Sequence, residues 1–476
     1  MKKADPNPKA NRNILKLVYV IVALFLGLIA YMAYFLQARG EDVINNSYNA
    51  RLDSFADRII RGKILAADGT VLAETQIDGD GNETRVYPYG SVFDHAVGYS
   101  TKGKTGIESL ANFYLLTSHV NLMEQALNQM SGEKNLGDNV YTTLDPQLQQ
   151  AAWDALGDRR GAVIAMEPDT GKILAMVSKP GYDPNTIAAD WETLTSEEND
   201  QGQLLNRVTQ GMYPPGSTFK IVTALEYMRE RPEDYKNFQF DCNGLYVNGD
   251  YQIRCYHGNA HGHQDFTLAF ANSCNGAFAS LGLELDLGRF ARTAQDVLFN
   301  SPLPLSGLPY KQSSFAMMPG AGTWEILQTS MGQGVTQITP LHNALITAAI
   351  ANGGTLMRPY LLDHVENVGG EEIRKFLPTA HGNLMTAEEA ANLTELMRAV
   401  VTEGTASAVR TDAYTVAAKT GSAEFETGKE THAWFTGFAP AEAPKIVVTV
   451  VVEEAGSGGR EAAPIARQLF DLYMSR

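Results

Sequence analysis

Two side chains three positions apart, Ser217 and Lys220, could carry out nucleophilic chemistry in this chain. A serine hydroxyl is a poor nucleophile at neutral pH and needs a neighbouring base to take its proton. Residues i and i+3 lie on the same face of a helix, so Lys220 can direct its amine toward the Ser217 oxygen. The piece Ser217-Thr-Phe-Lys220 therefore predicts a nucleophile and its base.

Two later pieces, Ser273-Cys-Asn275 and Lys419-Thr420-Gly421-Ser422, supply further partners for this chemistry. The Ser273 hydroxyl and the Asn275 amide can complete a proton path and hold a substrate amide. A strand that carries residues 419–422 can lie beside an extended peptide substrate, with Gly421 permitting close approach of the backbone. In this order the three pieces match the serine acyl-transfer set Ser-x-x-Lys, Ser-x-Asn and Lys-Thr-Gly.

The same patterns occur by chance elsewhere, at Ser47-Tyr-Asn49, Lys104-Thr-Gly106 and Ser131-Gly-Glu-Lys134. These copies run in a different order, and the third lies in a turn-like stretch. Ser217 instead follows Tyr-Pro-Pro-Gly and opens a helical pattern, which places it near a helix N-terminus that favours negative charge. Context therefore favours the later set.

Around these pieces, hydrophobic patterning predicts an antiparallel sheet with a helical subdomain beside it. Asp145 is expected to cap a helix that begins at Pro146. Residues 161–177 read as a hairpin, because two apolar runs flank a Pro-Asp-Thr-Gly turn. Three further strands and a final helix are predicted at residues 414–418, 431–438, 445–453 and 461–473. The serine helix is expected in the cleft between the sheet and the helical subdomain.

The N-terminus predicts a membrane anchor. Residues 17–36 carry no charge and are long enough to cross a bilayer as a helix. The preceding residues contain one acid, Asp5, and five basic side chains: Lys2, Lys3, Lys9, Arg12 and Lys16. This bias places residues 1–16 in the cytoplasm and the remainder outside. A cleaved signal peptide is the alternative, but the apolar stretch is long for one and no small-x-small cleavage site follows it.

The length of the chain indicates more than one domain, and its charge argues against one class of partner. A chain of 476 residues suggests more than one unit, and we expect a pedestal at 37–139 and a catalytic domain at 140–476. The net charge of −16 and the lack of a basic, aromatic-studded patch argue against binding to nucleic acid.

Nearly the whole chain resembles a class B, or monofunctional, penicillin-binding protein. The resembling stretches are Arg61–Ile64, Gly106–Glu108, Tyr213–Lys220, Ala260–Gly262 with Leu268, Ser273–Asn275, Gly332–Pro340, Lys419–Glu424 and His432–Phe435. The resemblance implies the α+β serine penicillin-recognising fold, an antiparallel five-stranded sheet with flanking helices and a helical subdomain. A single transmembrane helix and a small α+β pedestal would precede it. Residues 61–69 depart from the family because Asp-Arg-Asn is missing before the glycine, and no glycosyltransferase domain is present.

The resemblance implies a D,D-transpeptidase that cross-links peptidoglycan stem peptides through an acyl-enzyme on Ser217 and is inhibited by β-lactams. Lys220, Ser273 and Asn275 would complete the catalytic set, Lys419, Thr420, Gly421 and Ser422 would bind substrate, and the N–H groups of Ser217 and Ser422 would form the oxyanion hole. No metal or cofactor is required, and a membrane glycosyltransferase is the implied partner. The alternatives are a β-lactamase or penicillin-sensing relative, and a scaffold for such a glycosyltransferase.

Three cysteines and nearby histidines allow several interpretations. Cys242 and Cys255 flank a predicted hairpin, and an external compartment favours a disulfide between them. Free thiols are the second possibility. A metal site that includes His257, His261 and His263 is the third, since Cys-x-His and His-x-His spacings can bind zinc. Cys274, between the two polar residues of its motif, is expected to be a small buried filler.

Overall fold

The first element of the computed structural model, which describes residues 8–44, 58–426 and 428–476, is the long helix Pro8–Ile44. Its residues 12–35 are long and apolar enough to cross a membrane, by length and composition, and largely coincide with the predicted span. No other helix in the described part of the chain meets that test. Ser47-Tyr-Asn49 lies outside the described residues.

The pedestal is built on a six-stranded mixed sheet. In spatial order its strands are Glu372–Lys375, Leu362–Glu366, Asn139–Thr142, Ile64–Leu65, Val71–Ile77 and Glu83–Val86. The first three strands lie at or beyond the predicted boundary at 139/140, so the sheet crosses it. A small parallel pair and short helices complete the region: Ile59–Ile60 with Asn135–Leu136, and Asp94–Val97, Gly106–Leu110, Asn112–Leu115 and Leu122–Ser131.

A buried ion cluster joins the pedestal strands to its helices, and we call it the Glu108 cluster. The Glu108 carboxylate is fully buried and accepts hydrogen bonds from Arg61 Nε at 2.6 Å and Arg85 Nε at 2.7 Å. Arg61 also donates to Asn112 Oδ1 at 2.6 Å. Because three chain segments meet on one carboxylate, this cluster fixes their relative positions.

The catalytic region contains the expected five-stranded antiparallel sheet. Its spatial order is Ala417–Ala423, His432–Ala439, Ile446–Val452, Gly161–Met166 and Ile173–Lys179. Val452 pairs with Gly161, so the last strands of the chain lie beside the first strands of this region. The four strands other than Ala417–Ala423 are buried along their whole length, because helices cover both faces.

Successive residues on one strand show which helix covers each face. Phe435 packs edge-on against Phe470 of helix Ala463–Met474, with ring centroids 6.2 Å apart. The next residue, Thr436, hydrogen-bonds Thr347 of helix Pro340–Ala351 at 2.6 Å. Since neighbouring side chains on a strand point to opposite faces, the sheet lies between these two helices.

The helical subdomain and its hairpins lie in the middle of the chain. Its α-helices are Lys220–Glu230, Phe266–Ala271, Asn275–Glu284, Leu287–Asp296, Thr323–Ser330 and Ala387–Thr402. The short strands are Gln239–Cys242, Leu245–Asn248, Tyr251–Arg254, Gly262–Asp265, Thr355–Met357 and Ala380–Asn383. The remaining helical segments are Gly90–Phe93, Pro146–Leu156, Ile187–Thr195, Arg207–Gln210, Gly216–Phe219, Tyr235–Asn237, Tyr256–Gly258, Ser407–Val409 and Gly458–Glu461.

Local predictions agree with the structure except at one strand. Asp145 caps helix Pro146–Leu156 by accepting from the N–H groups of Gln147 and Leu148. The strand predicted at 414–418 instead runs from Ala417 to Ala423. Regular pairing begins at Ala417 opposite Phe438, and Pro440 has no N–H to donate to a longer ladder. Before Ala417, Thr415 O accepts one backbone hydrogen bond, from Ala441 N at 3.2 Å.

Candidate active site

Ser217 lies on a tight turn that leads directly into a helix. The turn Gly216–Phe219 is a 3-10 helix, and the α-helix Lys220–Glu230 continues from it. Gly216 has a φ of +52°, a left-handed conformation that glycine adopts without strain. Ser217 remains partly exposed, and among the described residues its Oγ makes no hydrogen bond. The hydroxyl of Ser217 is therefore accessible to a substrate.

The Lys220 amine lies against the second sequence piece rather than against Ser217. It is fully buried and donates to Ser273 O at 2.7 Å and Asn275 Oδ1 at 2.8 Å, with Ser273 Oγ at 3.3 Å. The direct Ser217–Lys220 hydrogen bond expected from the i to i+3 spacing is not formed. A tertiary contact replaces it, because three acceptors from the segment 273–275 use the three N–H donors of the amine.

The second piece is held in an unusual backbone conformation. Ser273 has a φ of +54°, which is uncommon for a residue with a side chain. Asn275 begins helix Asn275–Glu284, and its Nδ2 donates to Arg254 O at 2.9 Å. That bond orients the amide so that its oxygen faces Lys220.

A second buried lysine reaches Ser273 from the sheet. Lys419 lies within strand Ala417–Ala423, is fully buried, and donates to Ser273 Oγ at 2.9 Å and Thr420 O at 3.0 Å. The Ser273 hydroxyl therefore links the two lysine amines. In the described part of the chain, no carboxylate hydrogen-bonds either lysine.

Burial with no described carboxylate hydrogen-bonded to them makes both amines less basic. Burial lowers the pKa of Lys220 to about 8. Burial also lowers the pKa of Lys419 well below its ordinary value, and the nearby Lys220 lowers it further. Two ammonium groups on one hydroxyl repel each other, so a neutral amine is accessible near neutral pH.

The Lys-Thr-Gly strand lies at the edge of the sheet and packs against the serine turn. Among the described strands it pairs with His432–Ala439 alone, and it contacts the turn Gly216–Phe219. A Cβ on Gly421 would lie 3.3 Å from Ser217 N, tighter than most such contacts. Glycine here lets the strand and the serine turn approach closely. The close approach that the sequence predicted was to a peptide substrate, and it stays a prediction.

A third glycine, Gly332, packs against the backbone of the serine turn. A Cβ on Gly332 would lie 1.9 Å from Gly216 O, and Gly216 N donates to Gly332 O at 2.9 Å. No side chain fits there, which gives a physical reason for the glycine in the stretch 332–340.

Two polar side chains at the site were not predicted. Thr405 Oγ1 lies 2.6 Å from Thr420 Oγ1, and Gln333 Nε2 donates weakly to Ser422 O at 3.4 Å. Thr405 follows helix Ala387–Thr402 in a loop whose local pattern carries no chemical signal. Only its tertiary contact with the edge strand identifies it.

The three sequence pieces meet at a single cleft of about 800 Å³. Its walls include Ser217, Ser273, Asn275, Thr420, Gly421 and Ser422, with Arg254, Glu424 and Glu430 among the other lining residues. Lys220 and Lys419 do not line the cleft but lie behind its wall. The copies at Ser131 and Lys104 are in the pedestal, and the Ser131 hydroxyl donates to Asn128 O within its own helix.

The cysteines differ from the disulfide prediction. Cys242 Sγ and Cys255 Sγ are brought together, 3.6 Å apart, but are not bonded, and all three cysteines are free thiols. Cys274 is fully buried as expected, yet its sulfur lies 3.8 Å from that of Cys255 rather than only filling space. His261 Nδ1 lies 3.4 Å from Cys242 Sγ.

Comparison with known proteins decides the family. Residues 161–471 match the penicillin binding protein transpeptidase domain, and residues 61–140 match the penicillin binding protein A dimerisation domain. The chain belongs to the penicillin-binding protein transpeptidase family. These matches cover both the pedestal and the catalytic sheet.

The similar proteins include two mycobacterial peptidoglycan D,D-transpeptidases named PbpA. That of Mycolicibacterium smegmatis is 35% identical over 438 residues, which cover 86% of this chain and 87% of the relative. That of Mycobacterium tuberculosis is 32% identical over 98% of this chain and 99% of the relative. The solved ceftriaxone acyl-enzyme of M. tuberculosis penicillin-binding protein A matches with a TM-score of 0.79 and 33% identity, covering 88% and 99% of the two chains.

These relatives and the site agree on one activity. This penicillin-binding protein is a peptidoglycan D,D-transpeptidase of the class B type, with the expected α+β transpeptidase fold. Its substrates are the stem peptides of peptidoglycan.

Proposed function

We propose that Ser217 performs this transpeptidation by two-step acyl transfer, with residues of the three sequence pieces in separate roles. One observation carries the proposal. Two buried lysines converge on Ser273 behind the wall of the cleft in which Ser217 Oγ is unbonded. A nucleophile beside an amine of lowered pKa is the arrangement that serine acyl transfer requires.

In the first step, Ser217 Oγ attacks the carbonyl carbon of the penultimate D-alanine of a stem peptide. Lys220, whose pKa burial lowers to about 8, accepts the Ser217 proton. The amine donates to Ser273 and Asn275 in the resting site, and it takes up the Ser217 proton after releasing one of these acceptors. The C–O bond to serine forms as the peptide C–N bond breaks.

Backbone N–H groups stabilise the oxyanion of that step. Ser217 N lies beside the edge strand, and the close approach at Gly421 brings Ser422 of that strand near it. Two such donors aimed at a developing negative charge lower the barrier, and losing one donor typically costs about 10²–10³-fold in rate.

The leaving D-alanine takes its proton through Ser273. Lys419 donates to Ser273 Oγ, so a proton given by that hydroxyl to the departing amine is replaced from Lys419. The hydroxyls of Thr420 and Ser422 bind the terminal carboxylate, and Thr405 orients Thr420. In the second step, an amine of a neighbouring stem peptide attacks the acyl-enzyme and restores Ser217.

The geometry favours a transpeptidase over a β-lactamase. Hydrolysis of the acyl-enzyme needs a base that activates water, and no described carboxylate hydrogen-bonds Ser217, Lys220 or Asn275. We therefore expect β-lactams to acylate Ser217 and to remain attached, which makes them inhibitors.

Fluorescent penicillin tests the assignment on the full-length chain in detergent. Mass spectrometry should place the adduct on Ser217, and Ser217→Ala should abolish labelling. Ser131→Ala, in the pedestal copy of the motif, should label like the parent. An adduct on another serine contradicts the assignment, and rapid multiple turnover of a chromogenic cephalosporin would indicate a β-lactamase.

The apolar part of helix Pro8–Ile44 is assigned to the membrane, with the N-terminus in the cytoplasm and the catalytic region outside. The five basic residues before the span support this orientation. Protease added to intact spheroplasts should digest the catalytic region and spare an N-terminal epitope tag. Loss of the tag signal instead would reverse the orientation.

The assigned partner is a membrane glycosyltransferase, because cross-linking acts on strands that a polymerising activity supplies. A lipid-linked precursor should yield cross-linked products when both proteins are present. Ser217→Ala should then leave polymerisation intact and abolish cross-linking. Unchanged cross-linking with that variant would assign the bonds to another protein.

A further inference from the structure

Four side chains from four separate segments meet beside the second catalytic piece. They are Cys242, Cys255, His261 and Cys274, and their sulfur and ring nitrogen atoms all lie within 4.8 Å of one another. Catalysis as described above uses none of them. We call this group the Cys₃His cluster.

The spacing of the atoms is that of ligands around one small ion. With Zn–S bonds of about 2.3 Å, two sulfurs at tetrahedral angles stand about 3.8 Å apart. The Cys242–Cys255 and Cys255–Cys274 sulfur pairs are 3.6 Å and 3.8 Å apart. The His261 nitrogen is 3.4 Å from the Cys242 sulfur, as expected with the shorter Zn–N bond.

The surrounding backbone holds the cluster in place. Cys242 ends strand Gln239–Cys242 and pairs with Gly262, which positions the neighbouring His261. Cys255 N donates to Gly244 O at 3.0 Å and closes the hairpin that carries it. Cys274 occupies the N-cap position of helix Asn275–Glu284, and its side chain makes no capping hydrogen bond. The four positions are therefore fixed by secondary structure.

Burial and access also suit a metal site. The three cysteines are at most 5% exposed, whereas His261 is partly exposed and lines the catalytic cleft with Cys255. An ion can enter from that side. Thiolates and imidazole are the ligands that zinc prefers, and three sulfurs with one nitrogen form a closed structural site.

A disulfide between two of the cysteines would explain less of this arrangement than a bound metal does. Joining any two of the three sulfurs leaves the third thiol and the imidazole at the same point without a partner. The two other nearby histidines are not in the cluster, and His263 instead contacts Asp241 Oδ1 at 2.8 Å on the surface. Only His261 is aimed at the sulfurs.

We propose that Cys242, Cys255, His261 and Cys274 bind one structural Zn²⁺ ion that ties the Ser273-Cys-Asn275 segment to the two adjoining hairpins. Binding releases the three thiol protons to water. The ion acts at a distance from the reacting atoms, as a positioning element. It holds Ser273 in its left-handed conformation and keeps Asn275 facing Lys220.

Metal content of the full-length chain tests the proposal. The protein is purified with a tag that contains no histidine and without chelators, and is analysed by elemental mass spectrometry. We expect about one zinc per chain. Cys242→Ser and His261→Gln should lose the ion, and His263→Gln, the matched histidine outside the cluster, should retain it.

Measurements on the unsubstituted protein separate metal loss from misfolding. A strong chelator should lower the unfolding temperature and slow acylation by penicillin in parallel, and added zinc should restore both. Co²⁺ in place of zinc should give the absorption bands of a tetrahedral thiolate site. Zinc retained by His261→Gln, or a Cys242–Cys255 cross-linked peptide with no zinc in the native protein, would overturn the proposal.

Discussion

The pedestal and the catalytic cleft both bury cationic side chains, but only the pedestal provides a carboxylate for them. In the Glu108 cluster, two arginines share one buried carboxylate. Burial alone would raise the pKa of Glu108, yet Arg61 and Arg85 hold it below its ordinary value. Behind the cleft, the two lysines meet only neutral oxygens, and burial lowers the pKa of Lys220 to about 8.

Burying a cation costs free energy, and the two regions meet that cost in different ways. Arginine does not lose its proton in proteins, so a buried arginine needs a counter-charge and then acts as a structural tie. Lysine can become neutral when buried, and the neutral amine is a base. The pedestal therefore uses buried charge for rigidity, and the cleft uses it for reactivity.

Removing the base from the cleft should have the largest effect. Lys220→Ala should lower the acylation rate by about 10²–10⁴-fold or more, because base catalysis is lost from a unit whose members act together. Lys220→Arg sharpens the comparison, since it keeps the cation but cannot give up its proton. We expect an equal loss, measured with fluorescent penicillin; activity near that of the parent would show that charge alone suffices.

Removing the counter-charge from the pedestal should affect stability instead. Glu108→Gln leaves Arg61 and Arg85 buried without a carboxylate, which should cost about 3–5 kcal/mol in the free energy of unfolding. Below the new melting temperature, the acylation rate should be unchanged. Glu74→Gln, at the exposed Lys63–Glu74 pair, is the control and should cost less than about 1 kcal/mol. Equal costs would refute a structural role for the cluster.

Lys419→Ala should be milder than Lys220→Ala. Lys419 contacts Ser273 rather than the nucleophile, so its loss weakens proton delivery and leaves the primary transfer in place. A fall of about 10²-fold, the low end for acid–base catalysis, is expected in stopped-flow acylation. Equal losses for the two variants would contradict the separate roles.

The pH dependence of acylation should show the smallest effect, and it reports directly on the lowered pKa of Lys220. Because the base must be neutral, the rate should fall about tenfold per pH unit below about pH 8 and level off above it. With the pKa of Lys220 lowered to about 8, about a tenth of the amine is neutral at pH 7. A flat profile from about pH 6 to about pH 9 would exclude Lys220 as the base.

Much of the fold could be predicted from local patterns. The Pro-Asp-Thr-Gly turn marked the hairpin of Gly161–Met166 with Ile173–Lys179, and Asp145 marked a helix start. The patterns failed where a partner set the boundary, as at strand Ala417–Ala423. They also could not show that strands 362–375 extend the pedestal sheet, since that pairing spans more than 200 residues.

The sequence by itself determined the chemistry available to this protein: a serine and lysine three residues apart, two further motifs in order, and an apolar N-terminal segment. These are local features, and spacing along the chain is enough to reveal them. Only the tertiary structure decided that Lys220 and Lys419 share Ser273, that Thr405 supports Thr420, and that three cysteines and His261 converge. The physical reason is that burial and long-range contact, which set the pKa of an amine and assemble a ligand set, arise only when distant segments pack together.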